Sequence, residues 1–399
     1  MADDPTITFT SVLYVSAIAL AAPILVNLTP RLRMPAVVLE IVLGIVVGPA
    51  GFGWIRVDVS LQVLSLIGLA LLLFLAGLEI DPQKLRGDFS LILMAFGASL
   101  VIALGMAGAL HVTVDVGDPA FVAIMLASTS LGLIVPVLGD AGETTSRFGQ
   151  LVLGASITAE FGSLLLLSVF FSTSADSAPV QVGLLVAFAV LVMGVGTVML
   201  RAGRSTRVES TLLALEDTSA QLGVRVAVAL LILCVALATE LGQEAILGAF
   251  VAGALLTITD TQGRLNHPAF RRKIEAIGYG FVVPIFFVVS GAQLDVRSLV
   301  ETPTDFALVP LFAAGLLVAR GIPVVLYRRL FGGRRLVAGA LLQSTSLTFI
   351  VIAASLGQEL EIFDAPTAAA AVVGGLLTVV LFPPIALRLL GDSQIVPEG

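Results

Sequence analysis

Thirteen apolar segments of roughly membrane-spanning length dominate this chain of 399 residues. A transmembrane helix needs about 20 mainly apolar residues, because the hydrocarbon core of a bilayer is about 30 Å thick. Apolar residues make up 58% of the chain and charged residues 12%, against about 45–50% and about 25% in soluble domains. The sequence therefore predicts an all-α polytopic membrane protein. The segments lie near residues 9–29, 35–50, 61–79, 89–113, 119–139, 146–171, 180–200, 222–241, 243–259, 276–294, 305–327, 336–357 and 366–390.

The positions of the cations are consistent with thirteen spans. Loops on the cytoplasmic side of a membrane protein carry an excess of Lys and Arg. When the loops are assigned to alternating sides, eighteen of the 21 cations fall on one side and only Arg56 and Arg297 on the other. The remaining cation, Arg320, lies within a span. We therefore expect a multi-pass protein of the cytoplasmic membrane, with its N-terminus outside and its C-terminus in the cytoplasm.

Composition also limits the partners and cofactors. A single cysteine excludes a disulfide framework and a zinc or cluster site built on cysteines. Apart from Arg320, the basic residues lie in short loops, so no nucleic-acid partner is expected. No cofactor is expected, and the partner that the composition does imply is the lipid bilayer.

Two pairs of sequence motifs indicate an internal repeat. Residues 77–85 match residues 291–299 at an offset of 214, and residues 128–135 match residues 344–351 at an offset of 216. The matching segments are seven spans apart, an odd number, so the two copies cross the membrane in opposite directions. Such inverted-topology repeats are typical of transporters. We predict two inverted six-helix repeats over 1–171 and 222–390, a linker helix and cytoplasmic loop over 172–221, and a cytoplasmic tail over 391–399.

Each repeat carries a Ser-Thr-Ser triplet in the middle of a span. Consecutive hydroxyls at this depth can bond backbone groups and so tolerate an unwound stretch. Ordinary helices with back-bonded hydroxyls are the alternative, but two triplets at equivalent positions favour a pair of broken helices, near 119–139 and 336–357, that cross each other. The triplets are Ser128, Thr129 and Ser130 in the first repeat and Ser344, Thr345 and Ser346 in the second.

Two ionisable residues lie deep within predicted spans. Glu160 has the most central position of any carboxylate, and a charge there costs about 2.5–3.5 kcal/mol on insertion scales, which makes it a functional candidate. A structural ion pair or a permanently protonated acid is the alternative. The guanidinium of Arg320 does not deprotonate, so it cannot carry a proton. We expect Arg320 either to compensate carbonyl ends of the broken helices or to pair with Glu160, with a purely structural role as the alternative.

The chain resembles the bacterial monovalent cation:proton antiporters of the cation:proton antiporter 2 family, in the branch of Kef-type potassium efflux proteins and sodium/proton exchangers. The resemblance covers essentially the whole chain. It is carried by several motifs together, which are PAVVLEI at 35–41, FLAGLEID at 74–81, GAFVAG at 248–253 and PIFF at 284–287.

The resemblance implies a homodimer in which a core domain, with the crossed helices and the ion site, moves against a dimerisation domain. An acidic pair often found in segment 6 of the family corresponds here to Ala159-Glu160, and Arg320 stands where the family has a membrane-embedded Lys. Both departures weigh against a voltage-driven exchange of two protons. Kef-like relatives often continue into a cytosolic nucleotide-binding domain, and none is expected here.

These observations predict a secondary antiporter that exchanges a proton for Na⁺ or K⁺ at Glu160. The cation would be held by that carboxylate, by the hydroxyls of Ser130 and Ser156, and by carbonyls around Thr129, since hard oxygen ligands suit such ions. With one deep carboxylate the exchange would be electroneutral, unless Glu40 or Glu79 supplies a second proton. The sequence does not fix the choice between Na⁺ and K⁺.

Proteins of other classes are less consistent with the sequence. A proton-uncoupled symporter for organic solutes needs a more polar cavity, and a gated cation channel needs a filter or charged rings that are not evident. An enzyme is not expected, because no nucleophile and base are paired within the spans.

Overall fold

A computed structural model describes residues 9–28, 35–78, 88–114, 116–144, 146–171, 178–203, 221–259, 268–294, 296–297 and 303–391. Within these ranges, all regular secondary structure is helical. In the described part of the chain, ten helical segments are long and apolar enough to cross a membrane, when consecutive helices such as those within Gly333–Glu359 are counted as one segment. Three shorter apolar segments accompany them. The prediction of an all-helical polytopic membrane protein is therefore confirmed.

Sixteen α-helices are described in chain order, and their bounds follow the predicted segments closely. In the first half, helices α1 to α8 are Phe9–Leu28, Ala36–Val47, Val59–Leu78, Phe89–Val114, Pro119–Leu126, Leu131–Asp140, Arg147–Phe170 and Ala178–Gly203. In the second half, helices α9 to α16 are Leu222–Glu240, Ala245–Thr259, Pro268–Ile277, Val283–Gln293, Pro303–Gly321, Gly333–Gln343, Thr348–Glu359 and Ala365–Leu390.

Two long spans change their helical geometry partway along. A π-helical turn, Gly278–Val282, joins α11 to α12, and a 3₁₀ stretch, Ile322–Arg329, continues α13. The 3₁₀ stretch starts two residues after Arg320 and has Pro323 at its beginning, where a missing N–H costs little.

One predicted boundary differs by several residues. The segment predicted to begin at 276 is helical from Pro268, because α11 is a charged helix of ten residues that hydropathy does not detect. Arg271 and Glu275 lie one turn apart on this helix and form an ion pair at 2.7 Å.

Local sequence explains where the helices that position the site begin. Asp118 accepts hydrogen bonds from the backbone N–H groups of Ala120 and Phe121, and Pro119 occupies the first turn of α5. Asp364 caps α16 in the same way through the N–H of Thr367. Such caps satisfy donors that have no partner within the helix.

The chain divides into two compact units. The first comprises Met1–Val12, Val57–Pro82 and Leu164–Val289, and in it α10 packs against α3 and α9. The second comprises Leu13–Arg56, Gln83–Ser163 and Ser290–Gly399, and in it α13, α14 and α15 pack against α16 while α4 packs against α5 and α13. Both broken helices, together with Ser156, Glu160 and Arg320, belong to the second unit.

Glycines bring α3 and α10 into backbone contact in the first unit. A Cβ atom added at Gly77 would collide with the carbonyl oxygen of Phe250, and one added at Gly253 would collide with that of Phe74. Small residues are typical of helix contacts in membranes, because association there depends on close van der Waals packing.

Candidate functional site

The two Ser-Thr-Ser triplets occupy interruptions between helices. The first interruption, residues 127–130, separates α5 from α6, and the second, residues 344–347, separates α14 from α15. All six hydroxyl residues have no exposed surface. An unwound stretch leaves backbone N–H and C=O groups without helical partners, and burial makes such groups costly unless they are bonded elsewhere.

Ser130 satisfies the free N–H groups at the start of α15. Its hydroxyl oxygen accepts hydrogen bonds from the backbone N–H groups of Leu347 at 2.9 Å and Thr348 at 3.0 Å. Its own backbone N–H donates to the carbonyl of Thr345 at 3.0 Å. One residue of the first interruption therefore caps α15, the helix that follows the second interruption.

Further hydrogen bonds join the two interruptions. The hydroxyls of Ser128 and Ser346 lie 2.8 Å apart, and the Ser128 hydroxyl also bonds the carbonyl of Met125, near the end of α5. The hydroxyl of Thr129 donates to the carbonyl of Gln343, the last residue of α14, at 2.6 Å. Hydroxyl side chains thus replace the helical partners that the interruptions remove.

Glu160 lies at the start of α6, the half-helix that follows the first interruption. It is 3% exposed on α7, and its Oε2 accepts a hydrogen bond from the backbone N–H of Leu131, the first residue of α6, at 3.0 Å. The N-terminus of a helix carries a partial positive charge, so a carboxylate is favourable in this position. The most central carboxylate of the sequence is therefore also the group that caps a broken helix.

Arg320 compensates a carbonyl end. Its side chain is 1% exposed at the end of α13, and its Nε donates to the hydroxyl of Thr129 at 2.8 Å and to the carbonyl of Gln343 at 3.4 Å. The terminal nitrogens donate to Ser99 Oγ at 3.1 Å and to the Ala155 carbonyl and Gln343 Oε1, both at 3.4 Å. The C-terminus of α14 carries a partial negative charge, which a guanidinium offsets.

The remaining predicted residues bond within their own helices. The hydroxyl of Ser156 donates to the carbonyl of Val152 at 2.8 Å, one turn before Glu160 on the same face of α7. Ser344 and Thr345 donate to carbonyls of α14, at 2.7 Å and 3.0 Å. Because residues four apart share a helix face, Ser156 and Glu160 lie on the same side of α7.

Sequence reasoning missed three polar residues at the site. Gln343 bonds both Thr129 and Arg320, Ser99 bonds Arg320, and Thr378 accepts a hydrogen bond from the backbone N–H of Ser346 at 3.3 Å. All three are buried. Gln343 could have been found, since it directly precedes the second triplet, whereas Ser99 and Thr378 are isolated polar residues in apolar spans with no sequence signal.

Two further carboxylates were predicted as possible second proton sites. Glu40 is 5% exposed on α2. Glu79 lies outside the described residues.

The arrangement defines a class of protein. Carboxylate, hydroxyl and carbonyl oxygens meet at interrupted helices inside a membrane protein, and such sites are typical of transporters for small ions. Residues 16–390 match the family described as "Sodium/hydrogen exchanger, transmembrane", and the chain belongs to this family. The resemblance seen in the sequence is thereby confirmed.

Curated relatives with antiporter names cover most of the chain. YjbQ of Bacillus subtilis (strain 168), which carries the name of a Na(+)/H(+) antiporter, is 28% identical over 97% of this chain and 64% of its own length. The chain thus spans less than two thirds of that relative. "Probable Na(+)/H(+) antiporter 3" of Methanocaldococcus jannaschii is 30% identical over 84% of this chain and 85% of its own. These relatives are transporters, which confirms the expectation that the chain is not an enzyme.

A solved structure shares the fold. The sodium proton antiporter MjNhaP1 from Methanocaldococcus jannaschii, at pH 8, matches with a TM-score of 0.62 and 16% identity, covering 96% of this chain and 99% of that one.

Proposed function

We propose that this chain is a secondary antiporter that exchanges a proton for Na⁺ or K⁺, with Glu160 as the group that binds each in turn. The observation that carries the proposal is the position of the Glu160 carboxylate, which is buried at the N-terminus of a broken helix beside two hydroxyl-rich interruptions. The family and the antiporter names of its relatives support the same exchange.

The proposed cation ligands are the Glu160 carboxylate, the Ser156 hydroxyl oxygen and carbonyls around Thr129. In the present conformation Thr129 bonds Arg320 and Gln343, and both lone pairs of Ser130 are taken by N–H donors. Ser130 can therefore act as a ligand only after its bonds to α15 open. Arg320 keeps its charge throughout and serves as the partner of the α14 carbonyl end.

The number of spans, their repeat arrangement and their orientation in the membrane are also part of the proposal. We infer thirteen spans in two inverted repeats, 1–171 and 222–390, joined by 172–221 and followed by a tail over 391–399. The equivalent positions of the two interruptions and the offsets of 214 and 216 in sequence support this arrangement. The cation distribution supports a cytoplasmic membrane location with the N-terminus outside.

Transport is proposed to occur by alternating access, in which a core domain with the broken helices moves against a dimerisation domain of a homodimer. The support is the family resemblance, together with the interruptions themselves, since unwound helices at the site are typical of transporters that work in this way.

Replacement of Glu160 tests the proposed function. Glu160→Gln is expected to abolish exchange in proteoliposomes, because an amide neither binds a proton exchangeably nor holds a cation by charge. The variant should fold, since the Gln amide oxygen can still accept the Leu131 N–H. Glu160→Asp should retain partial activity, because the charge remains but recedes by about one methylene. The measurement is proton movement on addition of Na⁺, K⁺ or Li⁺, followed with a pH-sensitive dye.

A matched control separates the site from general effects of charge removal. Glu240, at the exposed end of α9, is replaced by Gln in the same way and should leave the flux unchanged. Cation-driven proton flux near the wild-type level in Glu160→Gln would remove this residue from the mechanism.

A further inference from the structure

Ser163 differs from the other hydroxyl residues of α7 in the hydrogen bonding of its side chain. The helix contains Ser156, Thr158, Ser163 and Ser168. Ser156 and Thr158 donate to carbonyls one turn earlier, and Ser168 donates to the side chain of Gln243. The Ser163 side chain has no exposed surface, and its oxygen has no hydrogen-bond partner in the part of the chain that the structure describes.

A hydroxyl in a helix normally has a partner within reach, namely the carbonyl of the preceding turn. For Ser163 this is the carbonyl of Ala159, and the side chain does not bond it. Burying an unbonded hydroxyl is unfavourable, so the chain loses stability at this position. Such a loss is commonly retained where the group has a functional partner.

The position of Ser163 indicates what that partner is. It lies three residues after Glu160, so the two side chains are neighbours on one face of α7. Helical side chains lean towards the N-terminus, which directs the Ser163 oxygen over the turn that holds Glu160. Ser156 lies on the same face, one turn on the other side of Glu160, so the carboxylate has a hydroxyl before it and a hydroxyl after it.

We propose that Ser163 is an oxygen ligand of the transported monovalent cation, one helical turn after Glu160. A neutral hydroxyl oxygen suits a hard alkali cation and adds no charge to the site. The proposal rests on the proposed function, because it takes the cation to bind at Glu160. It also adds a residue that sets the affinity for the cation without taking part in proton binding.

Removal of the hydroxyl should change cation affinity and leave the protein stable. Ser163→Ala is expected to raise the KM for Na⁺ or K⁺ about fivefold to tenfold and to leave kcat within about twofold of the wild-type value. This is the loss of cation affinity expected when one weak ligand is removed. The melting temperature should stay the same or rise, because the variant no longer buries an unbonded polar group. Ser163→Thr keeps the hydroxyl and should restore the KM to within about twofold.

A hydroxyl on the same helix provides the control. Thr158→Ala removes a half-buried hydroxyl that is bonded to the carbonyl of Gly154, and the KM should not change. If Ser163→Ala does not fold, Ser163→Cys keeps a similar volume with a softer atom, and it should raise the KM in the same direction.

The outcomes separate this proposal from the proposed function. An unchanged KM in Ser163→Ala, with Glu160→Gln inactive, would refute the role of Ser163 alone. A raised KM accompanied by a lower melting temperature, or not rescued by Ser163→Thr, would show that Ser163 acts only as a structural residue. Exchange that continues in Glu160→Gln would overturn the proposed function itself.

Discussion

Arg320 places a permanent charge where almost no solvent reaches it. The side chain is 1% exposed, and its donors are spread over Thr129, Ser99, Ala155 and Gln343. Five N–H groups in a rigid plane allow one side chain to bond groups on several elements at once, which a Lys ammonium on a flexible stem does less well. The planar guanidinium of an Arg therefore matches the groups that surround this position.

Replacement of Arg320 should destabilise the protein. Arg320→Gln is expected to lower the free energy of unfolding by about 3 kcal/mol, because hydrogen bonds from a charged donor are lost and buried acceptors are left without partners. Arg320→Lys keeps the charge and should lose less. The measurement is the melting temperature of the purified protein in detergent.

Arg147 offers a control for this charge removal. Its side chain is 66% exposed and lies 3.5 Å from Asp88, so Arg147→Gln should cost less than about 1 kcal/mol. Equal losses for Arg320→Gln and Arg147→Gln would contradict the assignment of Arg320 to the α14 carbonyl end.

At the scale of the elements, the broken helices stabilise one another, and individual serines of the two triplets contribute unequally. The Ser130 side chain, in the first interruption, bonds the N–H groups that begin α15, whereas the Ser344 side chain, in the second, bonds only a carbonyl of the preceding helix α14 among the described contacts. Ser130 is the third residue of its triplet and Ser344 is the first residue of the other, and the sequence does not show which serine makes the cap.

A pair of matched substitutions tests this inequality. Ser130→Ala is expected to lower the free energy of unfolding by about 1 kcal/mol or more, as the loss of a helix cap does, because two buried N–H groups lose their acceptor. Ser344→Ala removes the same atoms but no contact between the interruptions, and it should cost well under half as much. Equal melting temperatures for the two variants would show that the Ser130 cap does not stabilise α15.

At the scale of the whole molecule, the exchange is expected to be electroneutral, with one proton for each monovalent cation. If Glu160 alone alternates between proton and cation, the site carries the same net charge on both legs of the cycle. A membrane potential then does no net work, whereas one uncompensated charge would be worth about 2.3 kcal/mol per 100 mV. The measurement is the ion-gradient ratio at which flux stops, with and without an imposed potential.

A reversal point that moves with voltage would show that charge is transported and that a second group titrates. Glu40 is then the first candidate, since it is a carboxylate only 5% exposed on an apolar helix. Glu40→Gln would remove the voltage dependence if this residue carries the second proton, and Glu79→Gln would be tested in the same way.

The bounds of the helices follow from local properties of the sequence. Apolar length predicts most spans, and Pro119 with Asp118 marks the start of α5. The position of both interruptions could also be predicted, because three consecutive hydroxyls disfavour an unbroken apolar helix. The start of α11 was missed because a charged helix gives no hydropathy signal.

Sequence alone also identified the two deep charges, because a charge inside a membrane is costly wherever it occurs. It predicted carbonyl ends of the broken helices as one possible partner of Arg320, but it did not identify the individual residues that bond either charge. The tertiary structure brings Glu160 to the N–H of Leu131 and Arg320 to the carbonyl of Gln343, and it leaves the Ser163 oxygen without a hydrogen-bond partner among the described residues. These contacts join residues far apart in the chain, and the direction of each side chain depends on how neighbouring helices pack. Local patterns carry no information about such packing, so only the tertiary structure decided which polar groups meet at the site.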